Sequence, residues 1–282
     1  MEMTKINKTL DTNLSRTAIV FDSAGTLMEM YRVAKDIKTG KLLYDVVSTN
    51  IVKSCPECAL VAIHIESEIV EKCPGKASLS DFIPEHVDVD VVCMSKDVTK
   101  EMVHDILRRN PMVKVRDLQE VLKAIRAKCP RIFYVGLGFA VDADAGIVTH
   151  TICTGGKLFP GAQETVHNLI DAGADIFIAS GDRKPKLLLL SERLKIPQRR
   201  IFGTFTPRMK QELVARLKKE YEYVVMVGND INDYYALKEA DIGILTVQQS
   251  GVESVRLKNI SDETIDNIRQ VPSVLSRLLD EA

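Results

Sequence analysis

The apolar positions of this chain follow different patterns in its two halves. In the second half, short apolar runs at residues 175–180, 223–228 and 241–246 predict buried strands, and a further short strand is predicted at 200–205. Apolar residues at helical spacing predict helices between and after these strands, at residues 160–172, 184–194, 207–221, 231–240 and 261–279. Strands that alternate with helices predict an α/β fold with a parallel sheet covered on both faces.

The first half is organised differently. Residues 17–22 are another apolar run, which predicts a strand of the same sheet, and residues 27–48 predict a β-hairpin. Beyond it, strand-like segments at 58–69, 87–94, 132–141 and 147–153 are mixed with amphipathic helices at 100–109 and 117–129. We therefore expect a separate α+β domain inserted into the α/β core, and a mobile arm over the polar residues 1–16.

Composition narrows the class of protein. The 282-residue chain is 45% hydrophobic and 27% charged, with a net charge of −1, which is ordinary for a soluble globular protein. It has no basic block to bind nucleic acid or an anionic membrane surface, no apolar run long enough to span a bilayer, and no signal-like start. We expect a cytoplasmic protein with no nucleic-acid or membrane partner, and homo-oligomer formation stays open.

Polar residues that could act together on a phosphate group lie where predicted strands end. Asp22 ends the first strand, and ligands of open α/β sheets bind at that carboxyl edge, where a carboxylate can attack phosphorus. Ser180 and Gly181 follow a second strand at the start of a helix, where a hydroxyl and backbone N–H groups can hold phosphate oxygens. The alternative for Asp22 and for Ser180 is an ordinary turn or helix cap.

Two further segments complete the pattern. Lys210 lies near the start of a predicted helix and could neutralise the charge of a nucleophile and a phosphoryl group, although such lysines are usually solvent-exposed. The strand at 223–228 ends in Gly-Asn-Asp-Ile-Asn-Asp, residues 228–233, whose oxygen atoms suit Mg²⁺. A capping turn is the alternative here too.

In this combination the chain resembles the haloacid dehalogenase superfamily of aspartyl-phosphate-forming hydrolases. The resemblance covers about the first 30 residues and residues 158–246, and it rests on Asp22 to Thr26, Ser180, Lys210 and residues 228–233, in that order. The stretch from Thr206-Pro-Arg-Met-Lys210 to Gly228-Asn-Asp-Ile-Asn-Asp-Tyr-Tyr-Ala-Leu looks most like the phosphorylation-domain core of P-type ATPases and their soluble relatives.

The resemblance implies a three-layer, Rossmann-like parallel-sheet core formed by residues 1–30 and 151–282. Residues 31–150 would be a flap hairpin and an inserted α+β cap domain that closes over the site and selects a small phosphorylated substrate. Asp22 would attack phosphorus and become phosphorylated while Ser180 and Lys210 stabilise the transferring group, and Ser180, Gly181 and Thr26 would bind substrate. The implied Mg²⁺ ligands are Asp22, the main-chain carbonyl of Ala24, Asn229, Asp230 and Asp233.

Two positions depart from the pattern of the superfamily. Its ordinary phosphatases carry a second Asp two residues after the nucleophile, which protonates the leaving group and then activates water, but this chain has Ala24. P-type ATPases have Thr there, and phosphonoacetaldehyde hydrolases have Ala. In the last motif the residue after the glycine is Asn229, so either Asn229 binds the metal through its amide oxygen or the turn presents Asp230. A leaving group that needs no protonation, such as a nucleoside di- or triphosphate or an acyl phosphate, would suit this site.

The cysteines of the inserted region form an incomplete metal-site pattern. Cys55 and Cys58 are a Cys-x-x-Cys pair, Cys73 follows fifteen residues later, and the fourth ligand would come from Cys93, His64 or His86. A zinc or iron–sulfur site is one interpretation of this pattern. Six cysteines in a chain of this size favour reduced thiols, and we favour buried small apolar residues or a redox-sensitive pair.

Three alternatives to a working phosphatase stay open. Without the second Asp, the chain could be a weak or inactive member that uses the same cleft to bind a phosphorylated ligand or a partner. A phosphonatase-like enzyme would need Lys35 or Lys53 to form a Schiff base, and the last motif does not look like that subfamily. A metal-handling protein would act through the cysteines of the cap.

Overall fold

The computed structural model describes residues 13–53, 55–78, 81–82, 88–94, 98–110, 112–251 and 254–280. The chain divides into two compact units. The first consists of Met1–Glu29 and Leu158–Ala282, and the second of Met30–Lys157.

The first unit contains a parallel sheet with the strand order β12-β11-β10-β1-β8-β9. Its strands are β1 (Thr17–Phe21), β8 (Asp175–Ala179), β9 (Ile201–Phe202), β10 (Tyr223–Gly228), β11 (Ile242–Thr246) and β12 (Glu263–Ile265). All five residues of β1 are buried. Because alternate side chains of a strand point to opposite faces, this burial means that both faces of the sheet are covered at its centre.

Helices of the first unit follow the strands in sequence. They are α5 (Ala162–Asp171), α6 (Lys184–Leu194), α7 (Pro207–Leu217), α8 (Tyr234–Glu239), α9 (Val255–Lys258) and α10 (Val271–Asp280). Side chains of β1, β8, β10, α7 and α8 form one apolar core, which includes Val20, Phe177, Val214, Met226 and Leu237. The predicted α/β class with a parallel-sheet core is confirmed.

The second unit contains a sheet with the order β3-β2-β7-β6-β4-β5, in which the neighbours β2–β3, β4–β5, β4–β6 and β6–β7 are antiparallel. Its strands are β2 (Met28–Asp36), β3 (Leu42–Tyr44), β4 (Cys58–His64), β5 (Asp88–Met94), β6 (Tyr134–Asp142) and β7 (Ile147–Leu158). Its helices are α1 (Ser48–Lys53), α2 (Ser67–Lys72), α3 (Lys100–Arg109) and α4 (Val115–Lys128). The unit has its own core, with Val61, Leu118 and Phe139 among its members.

Several sequence-based boundaries need correction. The helix predicted at 261–279 begins at Val271, because Asp262 exchanges hydrogen bonds with Gly243 and thereby aligns β12 with the edge of the sheet. The strand predicted at 58–69 ends at His64, and Ser67 begins α2. The hairpin ends at Tyr44, and the expected domain boundary at residues 150 and 151 falls inside β7.

The predicted N-terminal arm is only partly described. Residues 1–12 lie outside the described residues, as does residue 87 of the predicted strand at 87–94. Leu14, which the prediction placed in the arm, is fully buried, and its N–H donates to the carbonyl of Ala172 at 2.9 Å. The expectation of a mobile arm is therefore wrong at this position, because Leu14 contributes to the core.

Candidate active site

Asp22 lies directly after β1, at the carboxyl edge of the parallel sheet. β1 is flanked by β8 and β10, so the residues that follow these strands, Ser180 and Asn229, belong to the same edge. The N–H of Asp22 donates to the carbonyl of Val227 at 3.0 Å, which extends the β1–β10 ladder to the carboxylate-bearing residue. Asp22 is 3% exposed.

Lys210 joins two carboxylates of this site. Its Nζ donates to Asp22 Oδ1 at 2.5 Å and to Asp233 Oδ1 at 2.6 Å, and the residue is 1% exposed. Thr206 caps α7 by accepting from the N–H of Met209. Leu213, Val214 and Leu217, at three, four and seven residues after Lys210, are buried on the same helix face, so helical spacing directs the lysine inward.

Electrostatics at the site follow from a buried group of two carboxylates and one ammonium. Burial, together with the charge of Asp233, raises the pKa of Asp22 to about 7, although Lys210 acts in the opposite direction. Burial alone would lower the pKa of Lys210, but the charges and hydrogen bonds of Asp22 and Asp233 outweigh this effect and raise it. Asp182, which follows Ser180 and Gly181, adds a further negative charge that acts on Asp22.

The loop after β10 is shaped by Asp233. Asp233 Oδ2 accepts from the N–H groups of Asn229 at 3.0 Å and Asp230 at 3.2 Å, while Oδ1 accepts from Lys210. A Cβ at Gly228 would lie 2.7 Å from the Asp233 side chain, so this close approach requires glycine. Asp230 is exposed and its Oδ1 accepts from the N–H of Ile231. Both oxygens of Asp233 are therefore engaged inside the protein.

The loop after β1 packs against the loop after β10. The Thr26 hydroxyl donates to Asn229 Oδ1 at 3.2 Å. Gly25 has φ +88°, and a Cβ there would lie 2.3 Å from Asn229 Nδ2, so both the backbone conformation and the contact require glycine. The structure thus brings together Asp22, Thr26 and Asn229, as the sequence predicts, and half-buried Ala24 lies in the same loop.

Gln248 is a residue of this site that the sequence analysis missed. Its Nε2 donates to the carbonyl of Thr26 at 2.6 Å, and its Oε1 accepts from the N–H of Ile268 at 3.0 Å. The side chain therefore ties the loop after Asp22 to the segment that precedes α10. No local pattern marks a single glutamine two residues after a strand as a residue of this kind, because its partners lie far away in sequence.

Ser180 comes directly after β8, one residue beyond the end of the strand, in a hydrogen-bonded turn. Its Oγ accepts from the N–H of Asp182 at 3.1 Å, and its carbonyl accepts from the N–H of Phe205 at 2.9 Å. Gly181 is exposed and a Cβ at this position would meet nothing nearer than 3.9 Å, so packing does not explain this glycine. The hydroxyl of Ser180 can still donate to an added oxygen atom.

The donor set at this edge fits a hard cation. Asp22 has one oxygen that receives no hydrogen bond within the described part of the chain, and Asp230 is an exposed carboxylate on the adjacent loop. The buried side-chain oxygens of Ser23 and Asn232 likewise have no partner among the described residues, which is uncommon for buried polar atoms. Carboxylate, amide and main-chain oxygens are the ligands that Mg²⁺ prefers.

The cysteine pattern differs from the predicted one. Cys55 and Cys58 form a disulfide, which contradicts the expectation of reduced thiols and agrees with the alternative of a redox-sensitive pair. Cys73 is a half-buried free thiol, and the structure places Asp142 rather than Cys73 beside the pair. His64 contacts Asp90 instead. His86 and the side chain of Cys93 lie outside the described residues.

Lys35 does not provide the free amine that a phosphonatase needs. Its Nζ donates to Asp117 at 2.8 Å and to Glu120 at 2.5 Å. Burial would lower the pKa of Lys35, but the hydrogen bonds and charges of the two carboxylates raise it. A lysine held in its protonated form is not a nucleophile. The other candidate, Lys53, has a side chain outside the described residues.

Comparisons with known proteins agree with this geometry. The family model of the haloacid dehalogenase-like hydrolases matches residues 17–241. This chain belongs to that family. The hydrolase is 33% identical over 266 residues to the soluble P-type ATPase-like phosphatase of Methanocaldococcus jannaschii, which covers 94% of this chain and 95% of that protein. The resemblance drawn from the four motifs is confirmed.

Other relatives of this haloacid dehalogenase-like hydrolase match it over shorter segments or at lower identity. The copper-transporting ATPase ccc2 of Schizosaccharomyces pombe is 31% identical over 93 residues, which is 33% of this chain and 10% of the ATPase. Among solved structures, the catalytic domain of the CPx-ATPase CopB-B is 15% identical, with a TM-score of 0.46 over 94% of this chain and 90% of that domain. In the part of the chain that the structure describes, no helix is both long enough and apolar enough to cross a membrane.

Proposed function

We propose that this hydrolase is a Mg²⁺-dependent phosphohydrolase or phosphotransferase that forms an aspartyl-phosphate on Asp22. The observation that carries the proposal is the buried ion pair in which Lys210 holds Asp22 Oδ1 at 2.5 Å and leaves the second carboxylate oxygen without a hydrogen bond from a described residue. The phosphatase named among its relatives supports the same reaction class.

Lys210 prepares Asp22 for attack. The Nζ–Oδ1 bond fixes the orientation of the carboxylate, and the ammonium charge favours its ionised form in a buried site that otherwise penalises it. In the first step the free Asp22 oxygen bonds to phosphorus while the bond from phosphorus to the leaving-group oxygen breaks. In the second step a water oxygen attacks phosphorus, the bond to Asp22 breaks, and the product leaves as dihydrogen phosphate, which carries both protons of the water.

The other residues of the site would bind and position the transferring group and the metal. The hydroxyl of Ser180 and the N–H of Gly181 would hold oxygens of the transferring group, and Thr26 would orient Asn229 beside them. Mg²⁺ would be held by Asp22, the carbonyl of Ala24, Asn229 and Asp230, and its positive charge would polarise a phosphoryl oxygen. Because both oxygens of Asp233 are used by Lys210 and by two backbone N–H groups, we assign Asp233 to shaping the loop rather than to the first ligand shell.

The residue at the acid position restricts the substrate. Ala24 cannot protonate a leaving group, so the best small phosphorylated substrates would be those whose leaving group departs as a stable anion. Nucleoside di- or triphosphates and acyl phosphates have this property, whereas sugar phosphates do not. A weakly active protein that binds a phosphorylated ligand is the second candidate, and Ala24 is the observation that favours it.

The test is phosphate release with Mg²⁺ from nucleotides, acetyl phosphate, sugar phosphates and p-nitrophenyl phosphate, with the wild type beside Asp22→Asn. We expect release to disappear in the variant and on chelation of the metal, and to return with added Mg²⁺. The matched control is Asp171→Asn, an exposed carboxyl at the end of α5, which should keep full activity. Equal release by the wild type and Asp22→Asn would reject the aspartyl-phosphate route.

A further inference from the structure

The second unit brings two cysteines and a carboxylate together. Cys55, Cys58 and Asp142 each offer one ligand atom, and these atoms all lie within 4.8 Å of one another. The two cysteines have a Cα–Cα distance of 5.4 Å. Two sulfur atoms and one carboxylate oxygen are a donor set for zinc-type cations, and this set is separate from the oxygen donors around Asp22.

The β-ladder fixes the positions of these ligands. Cys58 opens β4 and lies opposite Asp142, the last residue of β6, in antiparallel register. The N–H of Ala143 donates to the carbonyl of Glu57 at 2.7 Å, which links the turn between the two cysteines to the end of β6. Asp142 Oδ1 accepts from the N–H of Ala145, so the carboxylate is also oriented by its own turn. Cys58 and Asp142 are thus positioned by backbone structure that does not depend on a metal.

The redox state of the two sulfur atoms decides whether they can bind a metal cation. In the structure Cys55 and Cys58 are joined as a disulfide, in which neither sulfur is a thiolate. Metal ligands of this type are thiolates, which form from the reduced thiols with release of two protons. Cys55 is half-buried rather than fully buried, so a small oxidant or reductant can reach the pair.

We propose that the reduced chain binds one thiophilic divalent cation of the zinc type through Cys55 Sγ, Cys58 Sγ and Asp142, and that the disulfide closes this site. Binding replaces two thiol protons with the metal. Oxidation by a low-molecular-weight disulfide such as oxidised glutathione forms the Cys55–Cys58 bond, and the oxidant is reduced to two thiols. With three protein ligands the cation keeps a fourth position for water or another ligand. Hard Mg²⁺ is a poor match for thiolates, so the two metal sites are chemically distinct.

The experiment uses the full chain, reduced and freed of metal, and titrated with Co²⁺ and then Zn²⁺. Co²⁺ bound to thiolates gives a charge-transfer absorption, and Zn²⁺ should abolish it at one equivalent. We expect Cys55→Ser and Cys58→Ser to lose the absorption. Asp142→Asn keeps an oxygen that can accept from Ala145 but removes the charge, and it should weaken Zn²⁺ binding roughly 10-fold or more, by analogy with the loss of supporting metal-site groups.

Controls separate this site from the rest of the chain. Cys73→Ser, which removes a half-buried free thiol outside the group, should bind like the wild type, and circular dichroism checks that every variant is folded. Oxidised glutathione should remove two titratable thiols and the cobalt absorption together. Wild-type binding by folded Cys55→Ser, by Asp142→Asn or by the oxidised chain would overturn the proposal, as would a reduced wild type without the absorption. None of these readouts depends on phosphatase activity.

Discussion

At the scale of single residues, the buried carboxyl of Asp22 lowers the stability of the folded protein when it is ionised. Burial and the charge of Asp233 raise its pKa from 3.8 to about 7, so ionisation in the folded protein costs free energy. The protonated form stabilises the fold fully below pH 3.8, and this contribution is lost as the pH rises to about 7. One pKa unit corresponds to about 1.4 kcal/mol, which makes the cost a few kcal/mol at most.

We therefore predict that Asp22→Asn unfolds at a higher temperature than the wild type above neutral pH. The difference in Tm should increase between pH 3.8 and about 7 and stay constant above that range, because the Asp22 carboxyl ionises there and the amide does not. Thermal unfolding with a metal chelator across this range checks it. Asp230 is exposed, and an amide oxygen can keep its capping bond to Ile231. The variant Asp230→Asn should therefore show no such increase in the Tm difference. A difference that is flat or shrinks with rising pH would contradict the prediction.

Ala24 gives a second prediction at this scale. Restoring a carboxyl two residues after Asp22, as Ala24→Asp, should raise turnover of sugar phosphates more than turnover of acetyl phosphate, because only the former need a protonated leaving group. General acids contribute about 10²–10⁴-fold in enzymes, so a gain of about tenfold is a cautious expectation for an engineered one. The measurement is kcat on both substrates, with Ala24→Asn as the control of similar size. Equal gains with both substrates would argue against an acid role.

At the scale of elements, the loops at the carboxyl edge are held partly by contacts with one another. Thr26 contacts Asn229 through its hydroxyl and Gln248 through its carbonyl, and Gln248 also reaches Ile268. These contacts connect the ends of β1, β10 and β11 to the segment before α10. The conformation of the loop after Asp22 therefore depends on three other parts of the first unit.

We predict that Gln248→Glu lowers kcat severalfold with a smaller effect on KM. The carboxylate can still accept from Ile268 but cannot donate to the Thr26 carbonyl, so the substitution removes one of the two bonds. Steady-state kinetics on the best substrate of the panel measure this split. Gln248→Ala, which removes both bonds, should lose at least as much. A fully active Gln248→Glu would show that the loop holds its shape without this bond.

At the scale of the whole molecule, the second unit has the features of an independent domain. Its core is formed by its own strands and helices, and the two chain connections run through β2 and β7, which are neighbours in the sheet order. Adjacent entry and exit strands allow a segment to be inserted without disturbing the host fold. This organisation is the one expected for the cap predicted at residues 31–150, whose role stays a prediction.

We predict that residues 30–157 fold when expressed alone. The isolated segment should show a cooperative urea transition and native-like circular dichroism, because its buried apolar side chains pack mainly with one another. The matched comparison is residues 31–150, which cut β7 after His150 and remove its pairing with β6 from Thr151 onward. That shorter segment should be less stable. A segment 30–157 without a cooperative transition would contradict the domain division.

Much of this protein is determined by local sequence. The apolar run before Asp22, the spacing of Lys210 with Leu213 and Val214, and the glycines at the two loops each specify their own strand, helix or turn, because periodicity and allowed dihedral angles act over a few residues. The order of these motifs was enough to predict the family.

Tertiary structure decided what those residues contact. Lys210 reaches Asp22 and Asp233 at once, and Gln248 binds Thr26 from 222 positions away, only because the sheet order places β1 beside β10 and β10 beside β11. Asp142 joins the cysteine pair through the β4–β6 register, although Cys73 is nearer to the pair in sequence. Residues 263–265, for which helical spacing was the local signal, instead form the edge strand β12, because Asp262 hydrogen-bonds to Gly243. Contacts between distant segments depend on how strands are ordered and aligned, and no short window of sequence carries that information.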